Sequence, residues 1–118
     1  MTEKEAILGL MMGERIKASL IVGNTLLQIM EGMRGDELRG ALSLFSVYLR
    51  MIQNEVSVAE RVSPQKEWQE IQKSLETGVV MVDSGVVFES SHHLTEALTR
   101  ATTISNRTMK FLQEKNLV

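Results

Sequence analysis

The chain has 118 residues, 43% of them hydrophobic and 24% charged, with a formal net charge of −2, a balance that fits one domain with a packed core and excludes a disordered chain. There is no excess of Lys and Arg to bind a phosphate backbone, and Phe45, Phe88, Phe111, Tyr48 and Trp68 are too scattered for a base-stacking platform, so no nucleic-acid partner is expected. The absence of cysteine excludes a disulfide framework, a thiolate metal site and a thiol nucleophile, and fits a reducing compartment.

The first helix is predicted over 2–33. Thr2 and Glu5 form a capping box, in which the hydroxyl accepts from the amide of residue 5 and the carboxylate accepts from the amide of residue 2. Apolar and small residues then alternate at steps of four and three: Gly9, Gly13, Ile16, Leu20, Gly23, Leu27 and Met30, flanked by Met12, Ser19, Leu26 and Met33. Each glycine on that seam costs roughly 1 kcal/mol relative to Ala in a helix interior, so a closely approaching backbone is expected to compensate. The candidate interface residues are therefore Gly9, Met12, Gly13, Ile16, Leu20 and Gly23, which pack either against another subunit or against a bulky partner in the same chain. Ile7, Leu8, Met11, Ile21, Val22 and Ile29 lie off the seam and, with Met12, widen the apolar surface beyond what one bundle face needs.

Gly32 and Gly35 are expected to end this helix in a left-handed cap, with Asp36 capping a second helix over 36–62. Its inner face reads Leu38, Leu42, Phe45, Leu49, Ile52, Val56 and Ala59, with Arg39, Arg50, Glu60 and Arg61 mostly outside. Ser63 and Pro64 read as the cap and first position of a third helix over 64–84, which buries Trp68, Ile71, Leu75, Val79 and Val82.

The stretch 79–88 has two readings. Two β-branched runs around Asp83-Ser84-Gly85 resemble a short β-hairpin. Against this, the helical stripe from Trp68 stays in phase to Val82, and an isolated two-stranded ribbon is only marginally stable. The helical reading makes Gly85 a cap and runs a fourth helix over 86–115 with an inner stripe of Val87, Ser91, Leu94, Leu98, Ala101, Ile104, Thr108, Phe111 and Leu112. Long helices joined by short connections imply an all-α, antiparallel up-down four-helix bundle filling 1–118 as one domain.

The longest apolar run, 18–30, contains Ser19, Asn24, Thr25 and Gln28 and is too short to span a bilayer; with an acidic amino terminus, this makes a soluble cytoplasmic protein without membrane contact the expectation. Few residues suggest chemistry. Glu89, His92, His93 and Glu96 have the order E-x-x-H-H-x-x-E, which gives each imidazole a carboxylate on its own helix face and supplies half of a carboxylate-bridged metal site that a two-fold axis would complete. Surface Glu–His pairs are the commoner explanation. Arg100, Arg107 and Lys110 lie on one side of the fourth helix and suggest anion binding, weighed against an ordinary solvated face. No nucleophile motif or glycine-rich phosphate loop occurs, so no catalytic residue and no cofactor is assigned. The leading expectation is a non-catalytic protein–protein interaction module, an adaptor, chaperone or regulatory subunit, acting as a homodimer with a possible further protein partner. A metal- or small-ligand-binding bundle is the alternative.

Overall fold

The computed structural model describes residues 1–118 and folds them into four helices with no strand: α1 (Glu3–Met30), α2 (Gly35–Val62), α3 (Glu67–Asp83) and α4 (Ser90–Glu114). α1 packs on α2 and α4, and α3 packs on α2 and α4, so the helices form a square ring with α1 diagonal to α3. This is the up-down bundle expected from the punctuation. It is a rod of 54 × 21 × 18 Å with a radius of gyration of 15.5 Å. A compact domain of this length would have a radius of about 13.5 Å, so the rod exposes more surface than a rounder fold.

The capping box forms as read. The Glu5 amide donates to Thr2 Oγ1 at 3.0 Å, and the Thr2 amide donates to Glu5 Oε1 at 2.9 Å. The helix ends depart from expectation wherever a side chain has a stronger use elsewhere. Gly32 does not adopt a left-handed conformation; Gly35 does, at φ +58°, and Arg34 Nη1 covers the end of α1 by donating to the carbonyls of Glu31 and Met33 at 2.9 and 2.8 Å. Asp36 makes no capping bond to α2, and its carboxylate instead pairs with Arg39 at 3.1 Å.

Ser63 does not cap α3, which begins at Glu67. Its hydroxyl is committed to the Glu5 carbonyl at 2.6 Å, and its own carbonyl accepts the Trp68 indole N–H at 2.9 Å. The serine therefore ties the α2–α3 corner to the start of α1, and Trp68, fully buried, seals that end of the core.

The hairpin reading fails at Gly85, which sits at φ +81° where only glycine rests without strain. The amides of Val86 and Gly85 donate to the carbonyls of Met81 and Val82 at 2.9 and 3.1 Å, the Schellman pattern that ends a helix. Residues 86–89 then turn, with Val87 buried, and α4 starts at Ser90, four residues later than expected. The core is aliphatic around Trp68 and Phe45: Ile16, Leu20, Leu49, Val56, Ile71, Leu75, Leu94 and Ile104 are each wholly inaccessible to solvent.

The glycines of α1 are explained by α4. A Cβ added at Gly9 would lie 2.6 Å from Ser63 Oγ and 2.9 Å from Thr108 Cγ2, and one at Gly13 would lie 2.6 Å from Ser105 Oγ. Those neighbours are held: Thr108 Oγ1 bonds the Ile104 carbonyl at 2.8 Å, and Ser105 Oγ bonds Glu14 Oε2 at 3.0 Å. Gly40, also inside a helix, has nothing within 4 Å. The two sites should therefore respond in opposite directions. Gly9→Ala is expected to destabilise the fold by about 1–2 kcal/mol, because overpacking outweighs the gain in helix propensity. Gly40→Ala is expected to stabilise it by roughly 0.5–1 kcal/mol. Urea unfolding followed by circular dichroism measures both.

Candidate interaction face

α1 is apolar nearly all the way round, and its own chain covers only part of it. Gly9 and Gly13 turn toward α4, Ala6, Ile16, Leu20 and Leu27 fill the interior, and Tyr48 of α2 reaches across to donate to the Ser19 carbonyl at 2.8 Å. Gly9, Gly13, Ile16, Leu20 and Gly23 are thus buried inside the chain, and Met12 is half-buried against the core. The close approach expected of the glycine seam is made by α4 and Ser63. None of these five buried residues is open to a second molecule.

What remains open lies farther round α1. Met11 is 62% exposed, Val22 47% and Ile29 57%, on the outward side of the helix nearest α2, while the exposed Ile7 and Ile21 lie round toward α4, on the side of Glu14 and Lys17. α2 answers with its own outward stripe: Leu44 is 74% exposed, Met51 56%, Val47 53% and Val58 41%. Antiparallel packing brings the stripes side by side. Arg15 Nε lies 3.2 Å from Glu55 Oε2, which fixes the level of α1 against α2. Equal rise along both helices then sets Met11 within one residue's rise of Val58, Ala18 of Met51, and Val22 of Val47.

The joined surface is an apolar face along the α1–α2 pair, crossed by one polar rung, Arg15–Glu55. Toward the α1–α2 turn it opens into a hollow of about 320 Å³ walled by eight hydrophobic residues, Leu26, Ile29, Met30, Met33, Ala41, Leu44, Phe45 and Tyr48. The hollow lies in the outer groove between the two helices, with Met30 and Phe45, buried on their other sides in the core with Val87, as part of its wall. Leu44, Val47, Met51 and Val58 were not among the residues singled out from the sequence. Their spacing of three, four and seven is the available signal, a second apolar stripe on α2 beside the one that holds Phe45 and Leu49.

The polar constellations are tied up within the chain. His93 Nδ1 and His92 Nε2 approach the same oxygen, Glu96 Oε1, at 3.0 and 3.5 Å, while Glu89 stands at the helix entrance outside that group. No three His, Asp or Glu side chains converge as a metal would need. Arg100 pairs with Glu70 at 2.9 Å and so faces a carboxylate, not an open anion site. Arg107 is taken by the buried Glu67 through a forked pair, with Nη1 to Oε1 at 2.9 Å, and by Gln65 Oε1 at 2.7 Å. Lys110 is exposed, and the three cations do not meet. A polar cleft of about 350 Å³ between α3 and α4 is lined by Glu70, Lys73, Ser74, Thr77, His93, Glu96 and Arg100, whose opposite charges neutralise one another. The α4 hydroxyls bond back to their own helix, as in Thr95 to the Ser91 carbonyl at 3.0 Å and Thr99 to the Thr95 carbonyl at 3.1 Å.

Comparison with protein-family models, with curated proteins and with solved structures finds no match to this chain. No helix is long and apolar enough to cross a membrane.

Glu67, paired with Arg107 between α3 and α4, gives the fold a pH dependence. Hydrogen bonding from Arg107 holds its carboxyl below the usual carboxylate range, outweighing the burial that would raise it. The folded chain then binds that proton less readily than the unfolded chain. The stabilisation is complete above the unfolded carboxyl value of about 4.3 and is lost as pH falls through the lower folded value. Glu67→Gln is expected to cost about 1–2 kcal/mol at pH 7, discounted for the half-exposed Arg107. The gap between variant and parent in urea unfolding should narrow as pH drops below about 4.

Proposed function

We propose that this chain is a protein–protein interaction module that works as a homodimer through the α1–α2 face and performs no catalysis of its own. The observation that carries the reading is the exposed apolar face itself. Two adjacent helices of 28 residues each, about 42 Å long and presenting a width of roughly 20 Å, offer on the order of 800 Å². That whole footprint, polar positions included, is about the area each partner contributes to a standard stable interface. The dominance of Met, Leu, Ile and Val, with one paired charge rung, is the composition of an interface core.

Methionines on this face, Met11, Met33 and Met51, add flexible apolar contacts that adapt to a facing surface. An adaptor, chaperone or regulatory subunit would use such a face to hold its own second copy, leaving the polar α3 and α4 surfaces outward for a further protein partner. A cysteine-free chain of this charge balance supports a cytoplasmic setting as part of the same proposal.

Sedimentation velocity at micromolar concentration is expected to give a dimer of the 13.3 kDa chain, and a strict monomer would remove the reading. Val47→Glu places a carboxylate in the middle of the face on an already exposed position, so the bundle should keep its helical signal. The same change should cost the dimer about 2–3 kcal/mol, roughly a 30- to 100-fold rise in Kd.

A further inference from the structure

Resting on that reading, we infer that the two copies meet about a two-fold axis running along the rod, so that α1 of each copy lies over α2 of the other. Arg15 of one copy then reaches Glu55 of the second. Three observations select this geometry from the ways two such faces can meet.

The first is level. An axis along the rod keeps the height of every residue while exchanging the places of α1 and α2. Met11 of one copy then faces Val58 of the other, Ala18 faces Met51, and Val22 faces Val47, so apolar residues meet apolar residues along the whole face. An axis across the rod would instead lay α1 on α1 and reverse the heights. Arg15 would then meet either its own copy or the uncharged half that holds Val22 and Ile29.

The second is charge. Arg15 and Glu55 are the only charged pair crossing the face, and they stand at one height. Exchange of α1 and α2 sets Arg15 over the second copy's Glu55, and Glu55 over the second copy's Arg15, a closed ring of alternating sign. Such a ring inside an apolar interface fixes register, because any slip leaves charges without partners.

The third is a guanidinium with donors to spare. Arg15 makes one hydrogen bond, from Nη2 to Glu55 Oε1 at 3.3 Å, and its side chain is 68% exposed. The donors on its outer side are free to meet the partly exposed Glu55 carboxylate of the other copy.

The test uses two full-length variants, Arg15→Glu and Glu55→Arg, alone and mixed in equal amounts, with native mass spectrometry reading homodimers against heterodimers. Each variant alone sets like charges against each other and should weaken its own dimer at least tenfold relative to the parent. Mixed, the two restore opposite charges on both sides of the ring, and the heterodimer should dominate. A parent that dimerises while the mixture shows no heterodimer preference would overturn this register and leave the homodimer standing. A parent that stays monomeric would remove both. Should either charge variant lose its helical signal, the mixture of Val22→Lys with Val47→Glu asks the same question at another height. A heterodimer there supports the exchange of α1 and α2, and its absence overturns it.

Discussion

The close packing of α1 on α4 is the constraint on which the rest of the molecule depends. Gly9 and Gly13 leave no side chain between the helices, and Ser63, Ser105 and Thr108 fill the space a Cβ would need. Small polar groups do this well because each hydroxyl has a backbone or carboxylate acceptor in place, so the contact is both tight and satisfied. The contact also fixes the rotation of α1 about its own axis. Once the glycines face α4, Met11, Val22 and Ile29 have no place in the interior. The apolar outer face is therefore the consequence of a packing choice on the opposite side of the same helix.

Ser63 links that choice to the remaining helices. Its amide ends α2 on the Ala59 carbonyl, its hydroxyl holds the first turn of α1, and its carbonyl orients Trp68 of α3. One residue thus sets the heights of three helices at one end of the rod. At the other end, Asp83 accepts from Ser46 at 2.9 Å and from Arg50 at 2.8 Å, anchoring the end of α3 part-way along α2. That anchor decides how far the second layer extends. Beyond it the 84–89 connection closes the core, with Val87 packed against the same cluster as Met30 and Phe45.

Much of this was legible in the residue order because it depends on period and local turn chemistry. The capping box at Thr2, the left-handed Gly85 and the inner stripes of α2, α3 and α4 all follow from short-range rules that tertiary contacts reinforce. What could not be read were the places where a side chain had two possible uses. Ser63 has the chemistry of a helix cap, and only the arrival of Glu5, 58 residues distant, shows why it serves another end. The outward stripe of α2 is hidden for a related reason: Leu44, Val47 and Met51 share their period with Phe45 and Leu49, and only rotation in the bundle shows which stripe is inside. The Glu–His group of α4 looked chemical because its spacing is regular. In space the two imidazoles share a single carboxylate oxygen, and the cleft beside them is lined by cations and carboxylates that offset one another.

The distribution of polarity around the ring gives the remaining argument about how the molecule works. α3 and α4 carry their charges in pairs with near neighbours, Arg100 with Glu70 and Arg107 with Glu67, and their outer hydroxyls are bonded to their own helices. Surfaces of that kind interact weakly with one another, which suits the solvent-facing side of an assembly. α1 and α2 have the opposite character, with long apolar side chains uncovered along one side and a single ion pair among them. A bundle built only for its own stability would place charged residues at Met11, Val22, Leu44 and Met51, since nothing in the interior needs them apolar. Their persistence at the two helices that share a side, and at matching heights on both, is a pattern that intrachain packing does not require and that a facing copy of the same two helices would satisfy.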